Sequence, residues 1–259
     1  MQRHQREGLT WYTFEQPGRA FRHALVTRHG GVSEGVFSSL NLGHTVGDDP
    51  EDVAANHRRL YRTWGITPAQ VVSPWQVHGR HVVRVGRADG GQVIPETDAL
   101  ISAEPGVVLL LRFADCVPVL FFDPDARAVG LAHAGWRGAA AGVVPATVEA
   151  LEEAFGSRRE TLWAGVGPGI APEDYEVGEE VVAAIARTLP PGTSIARQQG
   201  GRRHLDLPGA VAAQLREAGV GRVEVSRLHT SRNLDEWYSH RREEGRTGRF
   251  GVLVSTTDV

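Results

Sequence analysis

Three short apolar segments follow one another between residues 107 and 133, and they constrain the fold more than any other part of the chain. Their sequences are VVLLLRF, VPVLFF and AVGLAH, and each is rich in branched or aromatic side chains. Short runs of this composition predict buried β-strands. The turns between them then bring the residues at strand ends together, provided that the strand ends are adjacent.

Segments with helical spacing of apolar residues separate the predicted strands. We expect helices over 51–64, from Ala139 to Gly156, and within VGEEVVAAIARTL and PGAVAAQLREAG. Further strands are expected at 82–85 and in LWAGVG, RVEVS and FGVLV. No repeat or linker divides the 259 residues, so we predict a mixed αβ (α+β) chain with a single domain over 1–259.

Composition excludes several classes of protein. A net charge of −3 lacks the basic character typical of nucleic-acid binding, and no apolar run approaches the ~20 residues of a membrane helix. One cysteine cannot form an internal disulfide, and the N-terminal residues lack the apolar segment of a secretory signal. We therefore expect a cytoplasmic protein that binds neither nucleic acid nor membrane.

All 28 cationic residues are arginines, and the chain has no lysine. A Schiff-base lysine, a pyridoxal phosphate anchor and the lysine of a Walker loop are therefore excluded. An anionic substrate has to be held by arginine forks, by backbone amides or by a metal.

Cys116 and His133 follow neighbouring predicted strands, and His78 lies in a polar turn upstream. Three nitrogen or sulfur ligands with a fourth position left open are typical of a catalytic zinc site. Taken alone, a cysteine between apolar strands is more often a small buried side chain. His81 is left out, because three-residue spacing in an extended segment directs it away from His78.

Residues near these ligands are candidates for binding and catalysis. The run AGWRGAAAG after His133 has little side-chain bulk, so a ligand can approach its backbone amides. Arg137 is the predicted phosphate partner and a catalytic residue, and Trp136 either stacks on a planar base or fills the core. Asp115 is the candidate general acid or base. The expected substrate contacts are Arg28, Gln76, Trp136 and Arg241.

Six motifs resemble those of the YfiH-type laccase-domain family, in the same order along the chain. They are QVHG at 76–79, TDALIS at 97–102, ADCVPVLFFDP at 114–124, HAGWRG at 133–138, VGPGI at 166–170 and SHRREEGRTGRF at 239–250. The resemblance covers roughly residues 25 to 252 and implies a four-layer α/β/β/α fold. It also implies that His78, Cys116 and His133 bind a catalytic zinc.

The activity implied by this resemblance is zinc-dependent purine nucleoside phosphorolysis of adenosine, inosine, guanosine and methylthioadenosine, together with adenosine deamination. The expected partners are a purine nucleoside and phosphate. Two departures from the family pattern are His229, where many members have cysteine, and Phe113, where a small residue is more usual.

Other activities fit the same residues. A cysteine hydrolase would use Cys116 as nucleophile and His133 as base, and family members described as peptidoglycan editing factors suggest amide cleavage in a muropeptide precursor. Copper-dependent oxidation of phenols is disfavoured, because none of the 11 histidines forms an HxH pair.

Overall fold

The structure is a computed structural model that describes residues 1–15 and 20–257. Its strands are β1 (Gln2–Arg6), β2 (Leu9–Thr13), β3 (Phe21–Val26), β4 (Val71–Pro74), β5 (Val82–Arg84), β6 (Val93–Ile94), β7 (Ala99–Ser102), β8 (Val108–Phe113), β9 (Val117–Asp123), β10 (Ala128–Ala134), β11 (Trp163–Val166), β12 (Ala196–Gln199), β13 (Arg202–Leu205), β14 (Arg222–Val225) and β15 (Phe250–Thr256). Its helices are α1 (Pro50–Trp64), α2 (Trp136–Ala141), α3 (Val143–Phe155), α4 (Glu179–Ala186) and α5 (Leu207–Glu217).

Most strands belong to one of two large sheets. The first has seven strands in the order β1-β2-β3-β15-β8-β4-β6, and the second has six in the order β14-β11-β9-β10-β7-β5. Strands β12 and β13 form a separate hairpin. From β4 to β9 the chain alternates between the two large sheets. Neither sheet is therefore a continuous piece of sequence.

Three buried apolar clusters lie between four layers. The middle cluster contains Leu111 of the first sheet and Leu120 of the second, so the two sheets pack face to face. The outer face of the second sheet shares a cluster with the helices, including Val148 of α3. The outer face of the first sheet buries Leu60 of α1. This arrangement confirms the predicted mixed αβ class and its four-layer α/β/β/α order.

Helix α1 forms where the sequence predicts it, and both of its ends are capped. The Asp49 carboxylate accepts a hydrogen bond of 2.8 Å from the N–H of Glu51, and Pro50 occupies the first turn. Gly65 ends the helix in the left-handed conformation, with φ of 67°. Within the described part of the chain, no helix has both the length and the apolar character needed to cross a bilayer.

The prediction of one helix from Ala139 to Gly156 is wrong. Two helices occupy this region, and α2 begins earlier, at Trp136. They are separated at Gly142, whose φ of 88° lies in the left-handed region that glycine adopts readily. The N–H of Gly142 bonds to carbonyls at the end of α2, so the glycine closes one helix and starts the next.

Candidate metal centre

Three segments bring His78, Cys116 and His133 together at one edge of the second sheet. Strands β9 and β10 pair antiparallel with Ala134 opposite Val117, so the end of β10 lies beside the start of β9. Cys116 immediately precedes β9, in the turn where the chain passes from the first sheet to the second, and His133 is the penultimate residue of β10. His78 reaches the same place from the loop after β4.

The candidate ligand atoms of these three residues all lie within 4.8 Å of one another. The rings of His78 and His133 have centroids 4.8 Å apart and meet edge to face. His133 is buried, Cys116 half-buried and His78 exposed, so one side of the cluster is open. His81 lies outside it, with Nδ1 3.4 Å from the hydroxyl of Thr97.

Asp98 holds two of the three segments in place, and the sequence analysis missed it. Its carboxylate accepts hydrogen bonds from three successive backbone N–H groups, those of Val77, His78 and Gly79, at 3.1, 2.9 and 2.7 Å. The Nδ1 of His133 lies 2.8 Å from the same carboxylate. This contact leaves Nε2 of His133 as the nitrogen free to bind a metal, and it orients the ring. The available signal was a carboxylate directly before the apolar segment ALIS.

The absence of a side chain at Gly135 makes room for the cluster. A Cβ atom at this position would lie 2.8 Å from Sγ of Cys116 and 3.0 Å from Cδ2 of His78. The φ of Gly135 is −75°, a value that any residue adopts, so its backbone conformation does not require glycine. Glycine is needed here for space.

The electrostatic environment favours the thiolate of Cys116. Burial alone would raise the pKa of this thiol, but the charge and hydrogen bonds of His133, together with those of His78, lower it to about 6. Burial opposes protonation of His133, whereas the Cys116 thiolate and the Asp98 carboxylate raise its pKa. The thiolate is the form that binds metals and attacks electrophiles.

The residues fit a metal ion on chemical grounds. Two imidazoles and one thiolate are ligands that zinc and copper both accept. The carboxylate behind His133 is the partner that a metal-binding histidine usually has. Among the described residues, this is the one group of three or more histidine, cysteine or acidic side chains close enough to share an ion.

A cavity of about 860 Å³ opens next to the cluster. Its volume is in the range typical of small-molecule sites. Five of the residues predicted for catalysis or substrate binding line it, namely Gln76, Asp115, Trp136, Arg137 and Arg241. The structure thus brings most of the predicted site together with the proposed ligands.

Asp115 is held by three hydrogen bonds. Its carboxylate accepts from the hydroxyls of Thr230 and Ser239, at 2.6 and 2.7 Å, and from the N–H of Arg241 at 2.6 Å. These donors all come from the C-terminal segment between β14 and β15. The carboxylate therefore anchors that segment beside Cys116, and its role as a general acid or base stays a prediction.

Gln76 and Arg241 also make contacts within the protein. The side-chain amide of Gln76 bonds to both the carbonyl and the N–H of Arg112, at 2.9 and 3.0 Å. The guanidinium of Arg241 donates to the carbonyl of Glu176 and lies over the ring of Tyr175. Both side chains border the cavity, but their hydrogen-bonding groups are partly occupied.

Trp136 and Arg137 lie side by side at the start of α2. The guanidinium carbon of Arg137 is 4.5 Å from the centre of the Trp136 ring. Arg137 is exposed, and no carboxylate of the described chain forms an ion pair with it. Arg137 therefore keeps its charge available to a ligand in the cavity, next to the half-buried ring of Trp136.

Arg28 does not join the other predicted residues. It does not line the large cavity, and its guanidinium bonds to the carbonyls of Ser38 and Leu234 and to the carboxylate of Glu243. The guanidinium of this arginine lies over the ring of Tyr238, with 4.4 Å between the guanidinium carbon and the ring centre. Arg28 connects loops outside the cavity lining, and its contact with substrate stays a prediction.

The two departures from the family pattern have different consequences. Phe113 is 1 % exposed, and its ring centre is 5.5 Å from that of His133, so it packs behind the cluster. His229 does not line the cavity, whereas its neighbour Thr230 bonds to Asp115. The imidazole of His229 therefore does not replace a thiol in the cavity wall.

Two cavity arginines were absent from the predicted site. Arg112 interrupts the apolar segment VVLLLRF, and Arg249 directly precedes β15. An arginine within a buried strand was an available signal, because such a side chain seldom lies in a core without a partner.

Comparison with known proteins identifies relatives over nearly the whole chain. Residues 22–257 match the family model described as multi-copper polyphenol oxidoreductase laccase. A protein of Deinococcus radiodurans named purine nucleoside phosphorylase is 43% identical, over 92% of this chain and 90% of its own length. Purine nucleoside phosphorylase YlmD of Geobacillus stearothermophilus is 39% identical over 96% of both chains.

Solved structures agree with these relatives. The crystal structure of YlmD from Geobacillus stearothermophilus superimposes with a TM-score of 0.94 and 36% identity, over 98% of each chain. The Bacillus licheniformis hypothetical protein YfiH gives a TM-score of 0.90 at 30% identity, over 96% of this chain and 97% of that one. The resemblance to the YfiH-type laccase-domain family is confirmed.

Proposed function

This chain belongs to the multi-copper polyphenol oxidoreductase laccase family, and on that premise we propose that it is a metal-dependent purine nucleoside phosphorylase. The observation that carries the proposal is the cluster of His78, Cys116 and His133 at the edge of a large cavity with arginines in its wall. Relatives named purine nucleoside phosphorylase support the same conclusion.

The donor set favours this activity over polyphenol oxidation. A multicopper oxidase needs ligands for several ions, and the cluster offers three side chains for one ion. The sequence has no HxH pair to supply more. Copper oxidation of phenols is thus the weaker alternative, despite the description of the family.

We propose zinc as the metal, held by Cys116, His133 and His78. When bound, zinc supplies a Lewis acid and a positive charge next to the substrate. Asp98 accepts a hydrogen bond from Nδ1–H of His133 and so keeps Nε2 directed at the cluster. Phe113, buried behind His133, excludes water from that side.

The proposed substrates are adenosine, inosine, guanosine and methylthioadenosine, each with inorganic phosphate. Trp136 offers an aromatic face at the cavity for a purine, and the neighbouring Arg137 offers a positive charge. Phosphorolysis joins a phosphate oxygen to the ribose C1′ while the bond to the purine breaks. The chain's own contribution is to orient the two substrates and to stabilise negative charge on them.

Adenosine deamination is a separate part of the proposal. Zinc deaminases commonly have a glutamate two residues after the ligand histidine, and here Arg80 and Gly135 occupy those positions. Proton transfer would then depend on another cavity residue, for which Asp115 is the candidate. Release of inosine from adenosine without phosphate would support this second activity.

One observation favours a cysteine hydrolase as the second candidate function. The imidazole of His133 lies between the thiol of Cys116 and the carboxylate of Asp98 and interacts with both. This order of nucleophile, base and orienting acid serves thiol hydrolases on other folds. Amide cleavage in a muropeptide precursor is the reaction that such a site would perform.

The test compares metal content and activity in the same preparations. We expect about one zinc per chain by mass spectrometry, and chelator-sensitive release of adenine from adenosine plus phosphate. His78→Ala should lose both, whereas the matched control His81→Ala, in the same loop but outside the cluster, should keep both. The proposal would be wrong if the protein contained no metal and did not cleave nucleosides. If thiol alkylation then abolished amide hydrolysis, the cysteine hydrolase would be the supported function.

A further inference from the structure

Arg112 lines the cavity from within strand β8, yet its side chain is poorly partnered. Its Nη2 donates to the hydroxyl of Ser73 at 3.2 Å, and its Nε is buried without a hydrogen-bond partner in the described chain. No carboxylate of the described residues forms an ion pair with it. An uncompensated guanidinium in this position is costly unless something else satisfies it.

Arg249 lines the same cavity from the segment that leads into β15. Its Nη1 donates only to backbone carbonyls, those of Thr247 and Gly248 at 3.0 and 2.9 Å. Gly43 allows the stem of this arginine to approach closely, because a Cβ atom at Gly43 would lie 2.8 Å from Cγ of Arg249. Again no described carboxylate neutralises the charge within ion-pair distance.

Burial disfavours the charge of both side chains, and neighbouring groups compensate it only in part. Burial lowers the pKa of Arg112 and that of Arg249, and the nearest acidic groups do not reverse either shift. His44, the neighbouring cavity residue, has its pKa lowered by burial and by the charge of Arg112. At Arg249 the charges of Cys116, Asp115 and Glu243 offset burial only in part, so this part of the wall keeps an excess of positive charge.

We propose that Arg112 and Arg249, with His44 beside them, form the subsite that binds the phosphate substrate. A tetrahedral anion with several acceptor oxygens matches the planar forks of two arginines better than a single carboxylate does. The inference rests on the proposed phosphorylase activity, and it places the phosphate at Arg112 and Arg249 instead of at the predicted partner Arg137. It leaves the half-buried Trp136 and the exposed Arg137 to the nucleoside.

The test uses the full-length, metal-loaded protein and inorganic phosphate as the probe. The variants are Arg112→Gln and Arg249→Gln, with Arg112→Lys added in case the first fails to fold. Arg22→Gln is the matched control, because Arg22 is also a partly buried arginine whose pKa is lowered by burial, but it lies outside the cavity against Trp64. Phosphate binding is measured by calorimetry, and the KM values for phosphate and adenosine are measured separately.

We expect each cavity variant to weaken phosphate binding about tenfold or more, as the loss of a hydrogen bond to a charged group does. The KM for adenosine should change less than about twofold, because the nucleoside lies elsewhere. Arg22→Gln should match the wild-type protein in both. Metal content and circular dichroism check that the variants are loaded and folded.

Equal phosphate affinity in the wild type and the cavity variants would overturn the inference, as would a wild type that binds no phosphate. A parallel titration with adenosine 5′-monophosphate identifies the source of the anion. Arginine-dependent binding of the nucleotide, without binding of inorganic phosphate, would also overturn the subsite. A protein that binds phosphate through these arginines but cleaves no nucleoside would support the subsite and contradict the proposed activity.

Discussion

At the metal cluster, the space around Gly135 controls how closely the ligands approach one another. The thiol of Cys116 and the ring of His78 both occupy the region that a side chain at this position would fill. The backbone of Gly135 has a conformation that any residue can adopt. A larger residue there would therefore displace the side chains of Cys116 and His78 without straining the backbone.

Gly135→Ala should therefore weaken metal binding by about tenfold or more and lower activity with it, because displaced ligands lose their common geometry. Zinc affinity by competition with a chromogenic chelator measures the effect. Gly79→Ala is the control, since its Cβ atom would lie at an ordinary 3.5 Å from Asp98. Unchanged zinc affinity in Gly135→Ala would mean that the cluster is not a metal site.

The pKa of Cys116 sets a pH limit on metal binding. Since the folded protein lowers this pKa to about 6, the thiolate is present above that pH and is lost as the pH falls through it. The raised pKa of His133 acts in the same direction, because a metal has to displace its proton.

Zinc affinity should accordingly fall steeply below about pH 6 and keep rising above it. The measurement is chelator competition from about pH 5 to 8, with circular dichroism at each pH to show that the protein stays folded. A flat affinity profile across this range would contradict the coupling between Cys116 and His133.

At the scale of elements, the C-terminal segment between β14 and β15 has little regular structure but forms one wall of the cavity. It carries His240, Arg241 and Arg249. Asp115 anchors it through hydrogen bonds to residues that are more than a hundred positions away in sequence. The φ of Asp115 is 82°, an unfavourable backbone conformation for a residue other than glycine, and the hydrogen bonds of its carboxylate help to hold it.

Asp115→Asn distinguishes an anchor from a general acid or base. Loss of hydrogen bonds to a buried charge should reduce the free energy of unfolding by about 2 kcal/mol, measured in denaturant. If Asp115 only positions the segment, kcat falls while the pH profile of the remaining activity keeps its shape. Loss of one limb of that profile would instead assign proton transfer to Asp115. Thr230→Val, which removes a single hydrogen bond, is the milder control.

Local sequence patterns predicted most central strands and helices. The apolar segments between 107 and 133 form β8, β9 and β10, and α1 has the caps that its sequence indicates. The N-terminal strands were not predicted, because segments such as QRHQR in β1 have no apolar pattern and are defined by pairing with β2. The break at Gly142 was missed because the apolar spacing continues on both sides of it.

At the scale of the whole molecule, the chain alternates between sheets that share one core. Leu120 of β9 and Leu111 of β8 lie in the same cluster, although their strands belong to different sheets. From β4 to β9 successive strands belong to alternate sheets, so this part of the chain cannot unfold without disrupting both sheets.

We therefore predict one cooperative unfolding transition, with far-ultraviolet circular dichroism and tryptophan fluorescence changing together. Leu120→Ala should lower the free energy of unfolding by about 2–5 kcal/mol and shift both signals equally. Two separated transitions would show that the single domain predicted over 1–259 consists of independent parts.

The sequence by itself determined the local elements, the family and the three candidate ligands, because periodicity and short motifs are properties of neighbouring residues. Only the tertiary structure decided the partners of those ligands. Asp98 meets His133 across 35 positions, and Asp115 meets Arg241 across 126. Likewise, Arg112 and Arg249 share a cavity that Arg28 does not reach. Contacts of this range depend on how strands from distant parts of the chain pair and pack, which no local pattern encodes.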